Sequence, residues 1–322
     1  MNFIRLFFIF STILTLLFTG LVISVDPYMK LGINVFGFKT KAVAQSRENK
    51  YYLYESSKKQ YDAIIMGSSA AHRYPTSTVK NTINLETFNY AVQHSTPIDY
   101  LVILKHVLSK HRPKVIFLQI DFDALNQFYD VDNRLFNSPL KNFLASHETR
   151  TKPLFDHDYF TLAAIRDSLR VFYVNYFGKA RHIYLEDGNY RKELPLKGKV
   201  KTRISSSKKY QISNERIEVL KEIQKICDKK QIELIAFSAP LSFEHLKIIK
   251  NTLSLKEKHQ KFITHLDSVF RNFTNFQSLN KMKDYNSSEY FRDSTHPSLK
   301  MSEIILQQLL TSLKDKNNNE SI

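Results

Sequence analysis

The chain between residues 61 and 313 alternates short apolar runs with amphipathic helical patterns, and this alternation limits the fold more than any other feature. The predicted strands are the runs 63–66, 88–92, 114–120, 233–238 and 275–279. Helical patterns lie between and after them, at 97–110, 213–227, 256–271 and from Pro297 and Ser298 onward. Strands that alternate with helices predict an α/β fold, a flavodoxin-like three-layer sandwich whose parallel sheet has helices on both faces.

Polar residues follow two of these strands at the point where each strand ends. Gly67, Ser68 and Ser69 come after the first strand, and Gln119 and Asp121 end the third. The reactive crevice of an open parallel sheet lies at the carboxyl ends of its strands. We therefore expect these two segments to meet at one edge of the sheet.

The alternation breaks between the third and fourth strands. The segment 122–211 is rich in Phe, Tyr and Asn, and its pattern indicates a large insertion with local helices such as 159–173. The predicted organisation is an anchor at 1–27, a connecting segment at 28–60, an α/β domain at 61–314 that contains the insertion, and a polar, frayed tail at 315–322.

A twenty-residue run without charge, Leu6 to Val25, precedes all of this. That length spans a bilayer as a helix. A signal peptide is the alternative, but its apolar region is normally shorter and ends in small residues. The run therefore favours an uncleaved single-pass anchor. The flanking charges leave orientation open, since one Arg precedes the run, several Lys follow it, and a positive-inside count favours a cytoplasmic C-terminus.

The net charge of +16 indicates a polyanionic neighbour, such as anionic lipid or an acidic envelope polymer. Between Arg191 and Lys209 there are eight Lys or Arg against a single Glu193, a density more typical of a solvated loop than of a binding stripe. No nucleic-acid-binding motif accompanies the charge, so nucleic acid is not an expected partner. The single cysteine, Cys227, excludes an internal disulfide and lies on the apolar face of a helical pattern.

Gly67 is the single glycine between Phe38 and Phe177. Glycine at a strand exit permits a sharp turn or the close approach of a ligand. The serine hydroxyls that follow would then face the crevice, which makes them candidate nucleophiles. The alternative is an ordinary strand-to-helix turn with serine as the cap.

Asp293 and His296 form the second candidate element. His296 is the one histidine of eleven that has an Asp three residues before it, and it precedes the last helix. In such a turn the carboxylate accepts a hydrogen bond from one imidazole nitrogen, which leaves the other free to take a proton from a serine. The alternative is that Asp293 caps a turn and His296 lies on the surface.

Other groups of residues give weaker evidence of a functional site. The segment 156–158, Asp-His-Asp, has metal-ligating side chains, but no second cluster at ligand spacing accompanies it. Asp121 and Asp123 are a candidate carboxylate pair, but alternate carboxylates after a strand are commonly helix caps. The sequence has no His-Glu-x-x-His, no cysteine pair and no glycine-rich phosphate loop, so we expect neither a metal nor an organic cofactor.

The three motifs occur in an order that resembles the SGNH/GDSL hydrolase superfamily. They are Gly-x-Ser at 67–69, Asn89-Tyr90-Ala91 after the second strand, and Asp-x-x-His at 293–296. The chain is most similar to the membrane-anchored branch, whose members handle D-alanyl esters of lipoteichoic acid or O-acetyl groups of alginate. The resemblance covers roughly 61–313 apart from the insertion. It implies that Ser69 is the nucleophile, that Ser68 takes the usual place of Asp, that His296 is the general base and that Asp293 orients it.

The same resemblance implies an oxyanion hole formed by Ser69, His94, Gln119 and Asp121. His94 stands where a glycine is usual, and Asp121 replaces the usual third-block Asn. A carboxylate repels an oxyanion, so we hypothesise that the Gln119 amide donates in its place; losing one such donor costs about 3–4 kcal/mol.

Ser68, Asn89 and His72 are the residues that we expect to bind substrate. The alternative for His72 is a position on the exposed surface of a helix.

The function that this resemblance implies is a membrane-anchored serine esterase or O-acyltransferase. Its substrates would be acyl esters of envelope glycans or polymers. The catalytic domain would lie on the outer side of the cytoplasmic membrane and would act together with a membrane acyl-transfer partner. The alternative is a catalytically weak or inactive envelope scaffold with the same fold.

Overall fold

A computed structural model describes 2–27, 31, 33, 35–38, 41–42, 46–136, 138–144, 161–177, 183–190, 210–285, 287 and 289–320. The basic run at 191–209 and the Asp-His-Asp segment at 156–158 lie outside these residues. The chain divides into two compact units, Met1–Lys58 with Glu148–Lys192, and Lys59–His147 with Glu193–Ile322. The domain limits inferred from the sequence stay a prediction.

The described strands are β1 (Lys41–Ala42), β2 (Ala63–Met66), β3 (Thr87–Asn89), β4 (Val115–Ile120), β5 (Ile183–Tyr184), β6 (Glu233–Ser238) and β7 (Phe273–Thr274). The described helices are α1 (Asn2–Val25), α2 (Ser46–Ser56), α3 (Thr76–Ile83), α4 (Pro97–Lys110), α5 (Leu162–Phe177), α6 (Asn214–Lys229), α7 (Phe243–Asn251), α8 (Leu253–Val269), α9 (Leu279–Met282) and α10 (Leu299–Glu320).

The second unit is built on a five-stranded parallel sheet in the order β3-β2-β4-β6-β7. Ile65 pairs with Asn89 on one side and with Phe117 on the other, and Phe117 pairs in turn with Ile235. All four pairings are parallel, so the carboxyl ends of the strands lie along one edge. The predicted α/β class with a parallel sheet is confirmed.

Both faces of the sheet are buried. On one face Ile65, Phe117 and Phe237 pack in a single core with Val79 of α3 and Leu306 of α10. The intervening residues, which point to the other face, are equally buried: Ile64, Ile116 and Leu118 are at most 1% exposed. A strand buried on both sides reads as a continuous apolar run, which explains the sequence of β4.

Local signals start the helices that support this sheet. Thr96 and Asp99 form a capping box around Pro97 at the start of α4. The Ser213 hydroxyl accepts a hydrogen bond from the Arg216 N–H at the start of α6, as its place before the apolar pattern predicts.

The sequence placed the fifth strand slightly too late. It lies at Phe273–Thr274. The strand ends there because the backbone N–H of Phe276 donates to the Ser238 hydroxyl at 2.8 Å instead of pairing with a neighbouring strand. The last helix continues to Glu320, into the segment predicted to be a frayed tail.

The first unit contains α1, which is apolar and long enough to span a membrane from Phe3 to Val25. A signal sequence would meet the same criterion of length and composition. Near its C-terminal end Val22 packs with Ala164 of α5, while β1 and β5 pair antiparallel.

Candidate active site

The exit of β2 is shaped by Gly67. Its φ is +154°, and a Cβ at this position would lie 2.6 Å from Oε1 of Gln119 and 2.9 Å from Cβ of Ala71. A residue with a side chain therefore meets both an unfavourable backbone conformation and a collision. The glycine lets the chain turn closely past Gln119 into the 3₁₀ helix at Ser69–Arg73.

Ser68 and Ser69 have different roles in this turn. Ser68 is 3% exposed, and its hydroxyl caps the 3₁₀ helix by accepting from the N–H of Ala70 at 3.1 Å. The hydroxyl of Ser69, the first residue of that helix, makes a hydrogen bond in the cavity described below. Ser68 thus has the role of helix cap, which was the alternative prediction for the serines after Gly67. The hydroxyl of Ser69 remains available for reaction.

The loop before α10 is organised by the Asp293 carboxylate. Oδ1 accepts from the backbone N–H groups of Thr295 and His296 at 3.0 and 2.9 Å, and also from the Thr295 hydroxyl at 3.2 Å. The same carboxylate lies 2.9 Å from Nδ1 of His296 through each of its oxygens. One acidic side chain therefore both folds the turn and orients the imidazole.

The structure brings Ser69 and His296 together. Ser69 Oγ lies 2.8 Å from Nε2 of His296, although 227 residues separate them in the chain. With the Nδ1–H donated to Asp293, which is the tautomer that this hydrogen bonding assigns, Nε2 is free to take the serine proton. The serine, imidazole and carboxylate thus have the geometry that nucleophilic acyl chemistry requires.

The electrostatics of the carboxylate suit this arrangement. Burial by itself raises the pKa of Asp293, but the hydrogen bond and charge of His296 and two backbone N–H groups outweigh it, and the net pKa is lowered. Asp293 is therefore ionised at neutral pH and can stabilise an imidazolium beside it.

A cavity of about 310 Å³ opens over these residues. Its wall is formed by Ser68, Ser69, Ala70, His94, Ser95, Asp121, Phe122, Asp123, Ala124, Tyr129, Leu241, His245, Ile249, Leu255, Thr295 and His296. These residues follow β2, β3, β4 and β6 or precede α10, which is the edge of the sheet where the sequence predicted that the polar segments meet.

The Gln119 side chain does not have the role that the sequence suggested. Its Oε1 accepts from the backbone N–H of Ser68 at 3.2 Å, and its Nε2 donates to Oδ1 of Asp121 at 2.7 Å. The amide is fully buried and joins β2 to β4, so the hypothesis that its N–H faces an oxyanion is corrected to a structural role.

Asp121 does line the cavity. Burial raises the pKa of this carboxyl, against hydrogen bonds from Ser68 and Gln119 and the charges of His296 and His94. Asp121 therefore places a carboxyl group in the wall of the cavity that Ser69 and His296 also line.

His94 occupies the place of the expected glycine in a glycine-like conformation. Its φ is +51°, in the left-handed region, and its Nδ1 lies 2.7 Å from the hydroxyl of Tyr129. Both side chains line the cavity. The backbone thus keeps the turn that a glycine would favour, and the imidazole adds a polar group to the wall.

Two of the residues predicted to bind substrate lie away from the cavity wall. The amide of Asn89 is fully buried and donates to the carbonyls of Ala71 and Tyr74 at 2.9 and 3.1 Å, so it fastens the turn after Gly67. His72 is 4% exposed within the 3₁₀ helix, where it is neither on the surface nor in the wall. The substrate-binding roles of both residues are therefore withdrawn.

Tyr129 and His245 are cavity residues that the sequence did not reveal. Tyr129 falls in the insertion, where no periodicity marks a face, and His245 is one of several histidines without a motif. Across the part of the chain that the structure describes, no group of three His, Cys, Asp or Glu side chains is placed to hold a metal ion. Cys227 is buried, and burial raises the pKa of its thiol to about 12, in line with a packing role.

Comparisons with known proteins identify no family for this chain. No family model matches the sequence, and no curated protein matches it. Among solved structures, the chain is similar to a putative platelet activating factor from Streptococcus pneumonia, with 13% identity, a TM-score of 0.39, and coverage of 84% of this chain and 90% of the other. It is also similar to the acetyl xylan esterase AlAXEase, with 12% identity, a TM-score of 0.40, and coverage of 78% and 98%. At this level of similarity neither protein's activity transfers to this chain.

Proposed function

We propose that this chain is a serine-dependent esterase or O-acyltransferase. The observation that carries the proposal is the contact of Ser69 Oγ with Nε2 of His296 at 2.8 Å, with Asp293 at 2.9 Å on the far side of the imidazole. The site lies in a cavity at the carboxyl edge of a parallel sheet, where such chemistry is commonly located.

The reaction follows from this geometry. Ser69 Oγ attacks the ester carbonyl carbon while its proton passes to Nε2 of His296. The tetrahedral intermediate collapses, the bond to the alcohol oxygen breaks, and His296 returns the proton to the leaving alcohol. Water or a sugar hydroxyl then attacks the acyl-serine, and the proton again passes through His296 to restore the Ser69 hydroxyl.

Labelling with a fluorophosphonate tests the nucleophile. The full-length protein in detergent should form an adduct that peptide mass spectrometry locates on Ser69. Ser69→Ala should abolish the adduct, and Ser68→Ala, which changes the adjacent serine, should keep it. An adduct that persists in Ser69→Ala would contradict the assignment.

A second candidate is a binding or scaffold protein that keeps the fold without turnover. It is favoured by the Asp121 carboxyl in the cavity wall and by the engagement of the Gln119 amide with it. Failure of the wild-type protein to label would favour this candidate.

The proposed setting is the outer face of the cytoplasmic membrane, with α1 as anchor, an envelope glycan or acylated polymer as substrate, and a membrane acyl-transfer protein as partner. The apolar character of α1 and the resemblance to the anchored branch of the superfamily support it. A reporter fused to the C-terminus should be active only if it is exported. Activity of a cytoplasm-dependent reporter would place the domain inside and overturn the setting.

A further inference from the structure

His245 is a cavity residue that the triad does not use. It lies in the first turn of α7, where its backbone N–H is capped by the hydroxyl of Ser242. The apolar side chains of Leu241, Ile249 and Leu255, from the same part of the chain, line the cavity as well. A few polar side chains among apolar ones are the usual means by which a pocket fixes the orientation of a ligand.

The start of α7 is fastened to the catalytic loop. The N–H of Ser242 donates to the carbonyl of Ser294 at 3.0 Å, between Asp293 and His296. The charge of Asp293 acts on the His245 ring, where it opposes the effect of burial, which lowers the pKa of His245. His245 is therefore neutral at pH 7 and lies on the side of the cavity occupied by His296.

One ring nitrogen of His245 is inaccessible to a ligand. Nδ1 is buried and has no hydrogen-bond partner within the described ranges. A neutral imidazole carries one N–H, and a buried N–H without an acceptor is among the rarest of unpaired groups. The proton therefore belongs on Nε2, which is the one nitrogen left to meet a ligand, and Nε2 can only donate.

The chemistry of the triad says which part of a substrate lies there. His296 returns its proton to the leaving alcohol oxygen, so the alcohol part of the ester lies on the His296 side of Ser69. We propose that Nε2 of His245 donates a hydrogen bond to an oxygen atom of that alcohol, and that His245 thereby determines specificity for the alcohol part of the ester. This inference rests on the proposed function and adds a specificity-determining residue to it.

Two acetate esters of nearly equal size test the inference. 2-Hydroxyethyl acetate and propyl acetate differ by one hydroxyl in place of one methyl on the alcohol. The wild-type full-length protein in detergent should prefer the hydroxyethyl ester by about tenfold in kcat/KM, the worth of one hydrogen bond in a shielded site. His245→Phe should bring the ratio close to one, whereas His245→Gln, which keeps an N–H donor, should retain a preference.

The ratio separates recognition from damage to the fold, because a distorted site would slow both esters alike. His245→Phe also removes the buried Nδ1, which has no hydrogen-bond partner among the described residues. The variant should therefore unfold at the same or a higher temperature than the wild type. A second pair, methyl 3-hydroxypropanoate and methyl butanoate, places the same change on the acyl side, and its ratio should not respond to His245→Phe.

The outcomes are distinct. Turnover that depends on Ser69, with an alcohol-side ratio unchanged by His245→Phe, contradicts this inference alone. A response confined to the acyl-side pair also overturns it, since the contact would then lie on the other side of Ser69. Absence of Ser69-dependent turnover of all four esters contradicts the proposed function and this inference with it.

Discussion

The side-chain oxygen of Gln119 accepts a hydrogen bond from the backbone N–H of Ser68 at 3.2 Å, across 51 residues of chain. This bond holds the turn that carries Ser69 against the end of β4. It is also the contact that Gly67 makes room for, because a Cβ on Gly67 would lie 2.6 Å from the same oxygen. The position of the candidate nucleophile thus depends on an amide in a neighbouring strand.

Gly67→Ala should therefore impair both stability and activity. The new methyl group meets Cβ of Ala71 and Cβ of Gln119, each at 2.9 Å, and neither atom is at the end of a flexible side chain. Overpacking and the positive φ together predict a loss of about 3 kcal/mol in the free energy of unfolding, measured by urea denaturation. Gly37→Ala is the matched control, because Gly37 also has a positive φ but has open space around its Cα. Equal losses in the two variants would mean that the collision at Gly67 is not what matters.

Asp121→Asn should increase turnover. The substitution removes a carboxyl group from the cavity wall that Ser69 also lines and provides a neutral N–H donor there, while its carbonyl can still accept from Nε2 of Gln119. One oxyanion donor is worth about 10²–10³ in kcat in a well-formed site, and a gain of about tenfold is expected for a donor that is added without optimisation. The measurement is kcat for hydrolysis of a simple ester.

The control for that prediction is Asp123→Asn. Asp123 lines the same cavity, and its substitution changes the net charge by the same amount, whereas the Gln119 amide donates to Asp121. An equal gain in both variants would indicate a general charge effect instead of a donor at the oxyanion.

His259 predicts how stability depends on pH. Its Nε2 lies 2.8 Å from Oε1 of Gln277, and burial, with the charge of Lys250, lowers the pKa of His259 to about 4. The unfolded chain takes up this proton near the ordinary pKa of about 6.5, so stability is complete above that pH and falls as the pH drops from about 6.5 to about 4. The loss from this group approaches about 3 kcal/mol.

The difference in the free energy of unfolding between wild type and His259→Gln separates the contribution of His259 from that of the other titrating groups. His259→Gln should be less stable at pH 7 but should lose less stability between pH 7 and pH 4. Urea unfolding can be followed by reaction of the buried Cys227 thiol with 4,4′-dithiodipyridine. His265→Gln, on the same helix α8, should keep the wild-type slope; parallel slopes for wild type and His259→Gln would count against the prediction.

The parts of the site that sequence alone predicted are those whose geometry is local. Asp293 and His296 are three residues apart, and the backbone N–H groups between them fold onto the same carboxylate. Gly67 and the serines after it mark a strand exit by residue type alone. Such features are determined within one turn of chain, so their pattern can be read without knowledge of the fold.

The parts that sequence missed depend on side-chain directions that tertiary contacts decide. Gln119 was correctly placed at the end of a strand, but its amide turns toward Ser68 and Asp121, which no periodicity predicts. Asn89 was matched by its motif, yet it binds carbonyls of the turn instead of lining the cavity. Tyr129 reaches the cavity from an insertion without a regular pattern, so its contact with His94 had no signal in the sequence.

Asp293→Asn tests the role of the carboxylate while preserving the loop. The amide oxygen of Asn can still accept from the N–H groups of Thr295 and His296, so the turn and the unfolding temperature should change little. The amide nitrogen, however, would face Nδ1 of His296 and favour the tautomer with its proton on Nε2, where it can no longer accept from Ser69. We expect kcat to fall by about 10³–10⁴, with Asp267→Asn on the exposed side of α8 as a control that keeps the wild-type rate. A loss below about tenfold would mean that His296 works without an oriented tautomer, and the carboxylate would then be assigned to folding the loop alone.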